Sequence, residues 1–546
     1  MNKLKKPLFL LIISISLIIA ISFYFTDILK FNTKDSIDEE PYQHDSTQSS
    51  NDATDYRNDV AVKLDPIQIG SNKVDYGKDV ALDKDGNIYA VGYFGDTVDL
   101  DPSDSKLEKT ASGVCDIYVT KYDYSGKLEW AFTIGSSGAD MPHTIQVDDS
   151  GNFYITGYIG GNADYDPSQS EAVKSANSGR DFFIAKYDTH GNYKWCITAG
   201  NTETNATPTD TTFEEGMDLC VDKDGNVIAA GVYDGTIDLD PSNGNTNTDT
   251  LSSTNGSRDS FIAKYDKDGN FLNCFSIGGT GQDHIHGIRT GSDGSIYAGG
   301  FFSDSADFDP SVQTANLVSQ GSLDAFIAKY DTNGQYIWAK SFGSSFSDQI
   351  RPGALEIDSK DNLYVAGDFG GSIDFAAAAG ESILNCNGRA NGTGDIFMAK
   401  YDNNGNCIWA KGIGGTGGDA AHRIDIDDSG NVYIAGWFNG SVDFDCGTGT
   451  SNLISNSTNA SDAFIAKYGQ NGEYLWAKNF GGKAADPANL QMAAGLDVDS
   501  KGNSVLTGKF YLDCDFDPDP TKEKILHSVG DCDSFIVRYD TNGEIN

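Results

Sequence analysis

The chain has 546 residues, with 80 acidic against 39 basic side chains and a formal charge of -41. A protein so acidic repels a phosphate backbone and has no basic patch able to release counterions, which argues against nucleic-acid binding. The acidity suits solubility, cation binding or cationic partners equally well and names no ligand.

Residues 7–25 (PLFLLIISISLIIAISFYF) form an uncharged apolar run. As a helix it spans about 28 Å, close to the thickness of a bilayer core. Lys3, Lys5 and Lys6 precede it and acidic residues follow, so the positive-inside rule keeps the N-terminus in the cytoplasm and everything after Phe25 outside. Residues 1–26 thus read as a signal-anchor or a signal peptide. Ala20 and Ser22 fit a cleavage site, while the apolar stretch running past them favours an uncleaved anchor. Residues 27–60 are polar and acidic, with few side chains to fill a core, and read as a flexible linker.

Order begins at residue 61. One octapeptide recurs seven times: DIYVTKYD at 116, DFFIAKYD at 181, DSFIAKYD at 259, DAFIAKYD at 324, DIFMAKYD at 395, DAFIAKYG at 462 and DSFIVRYD at 533. A second motif keeps pace, from GNIYAVG at 86 and GNFYITG at 151 to GNSVLTG at 502. The spacing of about 69 residues suits one four-stranded propeller blade with generous loops. In blade two the strands read TIQVD (144–148), NFYITGYI (152–159), DFFIAKYD (181–188) and NYKWCITAG (192–200); we label the four positions A to D. Short Gly-containing turns join A to B and C to D. Both hairpins fall on one face and the longer B-to-C and D-to-A loops on the other, here termed the long-loop face.

The fourth-strand motif, exemplified by QYIWAKSFG at 335, occurs only six times, while VKLDPIQIG at 62–70 stands unpaired before the first A strand. The reading is a single all-β, seven-bladed β-propeller over residues 61–546, closed by residues 62–70 as the outer strand of blade seven. Pro66 is tolerated there because an outer edge strand need not donate every backbone N–H.

The combination D-x-F-I-A-K-Y-D-x-x-G-x-x-x-W-A-K-x-x-G-G, followed by D-x-x-G-N-x-Y-x-x-G and D-F-D-P, resembles the SBBP-type β-propeller repeat, a relative of NHL-type repeats, over about residues 61–546. The resemblance implies the propeller fold and a cell-surface or secreted setting, and it brings no catalytic residues. Asn273 replaces the usual Trp in blade three, Asp65 replaces it in the closing strand, and Ala376 breaks D-F-D-P in blade five.

Three sets of residues are candidates for function. The B-to-C loops open with the aspartate pairs Asp99/Asp101, Asp164/Asp166, Asp238/Asp240, Asp307/Asp309, Asp443/Asp445 and Asp515/Asp517, with Asp374 alone in blade five. Residues i and i+2 of an extended chain share a side, so each pair has the donor chemistry for Ca²⁺; the competing reading is that they cap a turn. Where the D-to-A loop enters the inner strand, Asp75, Asp140, Glu214, Asp283 and Asp419 form a column, with His143, His286 and His422 three residues later in blades two, four and six. Asp and His at a channel suit a metal or acid–base site, whereas strand parity with Ile145, Ile288 and Ile424 argues for structural histidines. Near the end of strand B, one position varies freely through Tyr93, Tyr158, Val232, Phe301, Asp368, Trp437 and Lys509, and its aromatic members suit contact with a ligand.

There is no G-x-S-x-G elbow, HExxH or P-loop, so the expectation is a protein that is not an enzyme and requires no cofactor, calcium aside. It is expected to be extracytoplasmic, anchored or secreted, touching the membrane only through residues 7–25. The expected role is a cell-surface or secreted binding or adhesion scaffold recognising protein or polysaccharide through its long-loop face. A hydrolase or lyase using an axial Asp/His depression and a structural cell-envelope protein are the alternatives. The scattered positions of the nine cysteines point to mostly free thiols.

Overall fold

The computed structural model describes residues 64–176, 179–201, 213–241, 249–375, 383–386, 394–455, 460–482 and 490–545. The chain divides into two units, Met1–Ala61 and Val62–Asn546. The first, with the apolar run and the acidic linker, lies outside the described residues. Among the described residues no helix is long and apolar enough to cross a membrane.

The second unit is a seven-bladed propeller of antiparallel sheets. In blade one the strands run A (Tyr76–Leu82), B (Ile88–Phe94), C (Asp116–Tyr122) and D (Leu128–Ile134), hydrogen-bonded in that order. The octapeptide forms strand C in every blade, and in blade one all seven residues of that strand are buried. Burial on both sheet faces follows from each blade packing between two neighbours, which is why these runs lack the polar–apolar alternation of a one-sided sheet. The Gly of each tight turn has positive φ, for example +79° at Gly86 and +83° at Gly126.

The ring closes as the repeat count requires. Ile67–Ile69 pairs antiparallel with strand C of blade seven (Asp533–Tyr539), matching Ile67 to Ile536 and Ile69 to Ser534. Tryptophans of strand D latch neighbouring blades, as where the Trp409 indole donates to Gln470 O at 3.2 Å. Where Asn273 stands instead, its amide donates to Asn333 O at 3.2 Å and keeps the latch. At the closing junction, where Asp65 occupies the position, Arg538 takes over: it stacks on Tyr124 with its guanidinium 3.8 Å from the ring and donates to Tyr124 O.

One element escaped the sequence reading. Each B-to-C connection contains a ribbon of two three-residue strands, such as Ser305–Asp307 with Asn316–Val318. The ribbon of blade four pairs with the end of the preceding D strand, Gly278 to Asp307, and the same stitch recurs from blade five to six and six to seven. The residue between each aspartate pair is buried beneath the ribbon, and the Tyr of strand C donates to its carbonyl, as Tyr330 does to Phe308 O. All nine cysteines are free thiols.

Candidate functional site: the propeller axis

The inner strands Tyr76–Leu82, Met141–Val147, Glu215–Val221, Asp283–Thr290, Gln349–Ile357, Asp419–Ile426 and Met492–Val498 surround the axis. Each carries a bulge near its start. The ladder skips Lys78, His143, Met217, His286, His422 and Ala494, because its register shifts between the flanking residues. In blade five the skip runs from Ile350 to Leu355, two residues longer than elsewhere. A bulged residue has no ladder partner and does not follow the alternation of its strand. That removes the parity argument that tied His143, His286 and His422 to Ile145, Ile288 and Ile424.

Arg423 crosses the axis. Its guanidinium donates to Pro352 O of blade five (2.8 Å) and to Lys78 O and His143 O of blades one and two (3.3 Å each), and it pairs with Asp79 at 3.2 Å. On the hairpin side of this bar lies a polar cavity of about 250 Å³ lined by Asp79, Thr144, Gln146, Arg289, Glu356, Asp425 and Asp497 among others. Here every blade is clasped to the next. Asp79 accepts from Ile145 N, Thr144 Oγ1 donates to Asp218, and Asp218 accepts from Ile288 N. Arg289 bridges to Glu356, Arg423 holds Pro352 O, Asp425 accepts from Val498 N, and Asp497 accepts from Leu82 N. Burial, and then the Asp497 charge, push Asp425 far above the carboxylate range; burial raises Asp497 to about 6, and the two carboxyls lie within hydrogen-bonding reach. Sequence reasoning missed this ring. Its only trace is charged residues at alternate positions inside otherwise apolar inner strands.

On the long-loop side of Arg423 the bulge residues meet the variable strand-B column. Tyr93 lies opposite Tyr76 (rings 5.9 Å apart), and Tyr158 lies under the Arg180 guanidinium at 4.4 Å. Phe301 stacks on His284 at 4.6 Å, and half-buried Trp437 lies opposite Ala420. Arg180 pairs with Glu215 at 2.5 Å, and His143 Nε2 stands 3.5 Å from the same carboxylate. Although burial opposes it, the hydrogen bond from His143 and the adjacent positive charges hold Glu215 down at about 2. Burial keeps all four histidines here below their usual range, with His286 at about 4 and its Nδ1 2.9 Å from Ile350 O. The buried His286 ring is thereby tied across to blade five.

The structure separates the predicted Asp–His pairs. Asp140 accepts from Ser136 N, Ser136 Oγ and Gly160 N, Asp283 from Gly279 N, and Asp419 from Gly415 N and Asn439 N. These carboxylates tie loops together and do not reach His143, His286 or His422. Burial raises Asp75, Asp283 and Asp419 to about 7. Asp348 belongs to the same column, accepting from Ser344 N and Gly370 N; counting back from the turn missed it because of the longer bulge in blade five.

The aspartate pairs of the B-to-C loops cap turns. Asp99, Asp164, Asp307, Asp443 and Asp515 each accept two backbone N–H groups, as Asp99 does from Asp101 and Leu107, and Asp238 accepts from Asp240 N. The second aspartates Asp101, Asp166, Asp309, Asp445 and Asp517 each cap the residue two further on. Among the described residues no three Asp, Glu, His or Cys side chains gather as a metal site.

The profile of the SBBP β-propeller repeat matches residues 67–93, from the closing strand through strands A and B of blade one. The chain carries a β-propeller repeat of this kind in blade one. The propeller is 25% identical over 423 residues to an uncharacterized WD repeat-containing protein of Acanthamoeba polyphaga mimivirus, covering 68% of this chain and 30% of the relative. It is 26% identical over 317 residues to the regulatory protein FlaEY of Caulobacter vibrioides, covering 50% and 30%. The chain thus spans under a third of the length of either relative. Among solved structures it is similar to the WD40 propeller domain of Doa1, at 10% identity and a TM-score of 0.36, over 87% of this chain and 97% of that one.

Proposed function

We propose that this propeller is a binding scaffold displayed outside the cytoplasm, recognising a protein or polysaccharide through the axial mouth on its long-loop face and performing no chemistry of its own. One observation carries the reading. At equivalent positions around a sevenfold-repeated ring, the core is nearly uniform, whereas the mouth column runs Tyr93, Tyr158, Val232, Phe301, Asp368, Trp437, Lys509; Tyr158, Val232, Phe301 and Asp368 are buried, and Tyr93, Trp437 and Lys509 are the half-buried members open to a partner. Repeats kept alike by packing and made different at one ring fit recognition of an asymmetric partner there, with aromatic and cationic side chains as anchors. The commitment of Asp140, Asp283 and Asp419 to their loops supports this reading over the hydrolase or lyase alternative. Hundreds of surface positions remain for the partner to ignore, so the test is local. A screen of the full-length chain against glycans and envelope proteins should yield a ligand whose binding is lost in Trp437→Ala and Tyr93→Ala but kept in Lys106→Gln, on an exposed ribbon. A ligand indifferent to both mouth variants would overturn the reading.

A further inference from the structure

Most cations around the axis are matched to acids: Arg180 to Glu215, Arg258 to Asp234, Arg351 to Asp368, Arg423 to Asp79, and Arg289 to Asp218 and Glu356. Two are not. The ammonium groups of Lys78 and Lys509 each lie 5.0 Å from the centroid of the Tyr76 ring, and neither makes an ion pair among the described residues. In a chain with twice as many acids as bases, two half-buried ammoniums beside one ring with no carboxylate in ion-pair contact among the described residues are the reverse of what chance pairing gives, although Glu215 and Asp79 act on Lys78 from farther away.

We propose that the axial mouth is a binding site for a single carboxylate group, taken between Lys78 and Lys509 beside Tyr76. This deepens the scaffold reading and rests on it. Lys78 comes from the bulge of blade one, which lifts it out of the ladder, and Lys509 from the variable column of blade seven, so the two converge from adjacent blades. Their mutual repulsion, added to that of Arg423, is relieved by an anion between them. His422, half-exposed and without a hydrogen bond among the described residues, supplies a neutral N–H donor nearby. Half-buried Tyr93 and Trp437 on the same column offer surface to the body of the ligand. The net charge of -41 selects the size of the anion. Screening confines the pull of two ammoniums to roughly 8 Å, enough for one carboxylate, while each further charge of a polyanion meets the acidic surface beyond.

Two matched pairs of probes test this by calorimetric titration of the full-length chain: glucuronate against glucose, and N-acetylglycine against N-acetylglycinamide. At least one acid should bind about tenfold or more tightly than its neutral twin, and the pair that does so tells a sugar-borne from a peptide-borne carboxylate. Lys78→Gln and Lys509→Gln should each weaken it about tenfold, with Lys509→Arg restoring most of the affinity and Lys106→Gln leaving it unchanged. Affinity should also fall above about pH 8, where Lys78, lowered by burial and by Arg423 and facing Glu215, Lys509 and Asp79, loses its proton. Equal binding of acid and neutral twin, no binding of either acid at about 10 mM, or unchanged affinity in a normally melting Lys509→Gln would overturn the proposal. If the acids fail while a screened partner is still lost in Trp437→Ala, the carboxylate site falls and the scaffold reading stands.

Discussion

Gly353 of blade five and Arg423 of blade six fit one another: a β-carbon on Gly353 would stand 1.3 Å from Arg423 Nη1. Gly353 also has φ +71°, so the blade-five bulge both turns in the left-handed region and leaves the gap through which the guanidinium reaches the axis. Gly353→Ala should therefore destabilise the propeller by about 2–5 kcal/mol, combining backbone strain with a disrupted buried ion pair. Because Arg423→Ala removes the same contacts, the double variant should lose clearly less than the two single losses added together. Denaturant unfolding of the three proteins measures the coupling; full additivity would show that the two residues act separately.

Closure by residues 67–69 makes blade seven dependent on a distant segment. Ile67 and Ile69 are almost fully buried, and Gln68 donates to His527 O across 459 residues of sequence. Ile69→Ala should cost about 2–5 kcal/mol, as for other buried aliphatic truncations. Deleting residues 61–70 should lower the melting temperature far more, since it bares the edge of strand C in blade seven. An unchanged melting temperature in the deletion would contradict the closure.

Proton uptake on folding sets a pH optimum. Burial holds Asp75, Asp283 and Asp419 near 7, above their unfolded value, so each adds stability that is present at low pH and is lost as pH rises through 7. From pH 8 to 6.5 each should contribute about 1 kcal/mol of added stability. Below the unfolded histidine value of about 6.5 the trend is opposed, because His143, His284, His286 and His422 are depressed in the fold and take up protons more readily when it opens. Calorimetric melting should therefore rise from pH 8 to about 6.5 and level off below it. A steady fall over the first interval would refute this account.

The blades were legible in the sequence because strand C packs on both faces in each of seven equivalent environments, so the octapeptide cannot drift far. The closing strand was legible by subtraction, from six outer-strand motifs where seven were due. The axial ring was not. Arg423 is next to His422 in sequence and bonds to blades one, two and five, and no periodicity along a chain encodes contacts across its centre. The bulges were equally silent, since one unpaired residue per inner strand leaves the apolar pattern intact while changing where His143 and Lys78 stand. The ribbons escaped notice because three-residue strands with two exposed ends look like loops. The aspartate pairs show why: cation ligand and turn cap use the same side chain at the same spacing, and the backbone N–H groups of Leu107 and Ala172 that complete the caps lie eight residues further along the loop, where no spacing announces them.

The outer strand of blade seven is made first and placed last. During synthesis, residues 67–69 emerge long before Ser534 and Ile536 exist to receive them, so six blades must assemble beside an open seam. Until the seam shuts, a hydrogen-bonding edge stays available to any other extended segment, including the same segment of a second chain. The interval before closure is when this protein is most exposed to swapping partners, and assistance to its folding would matter most then.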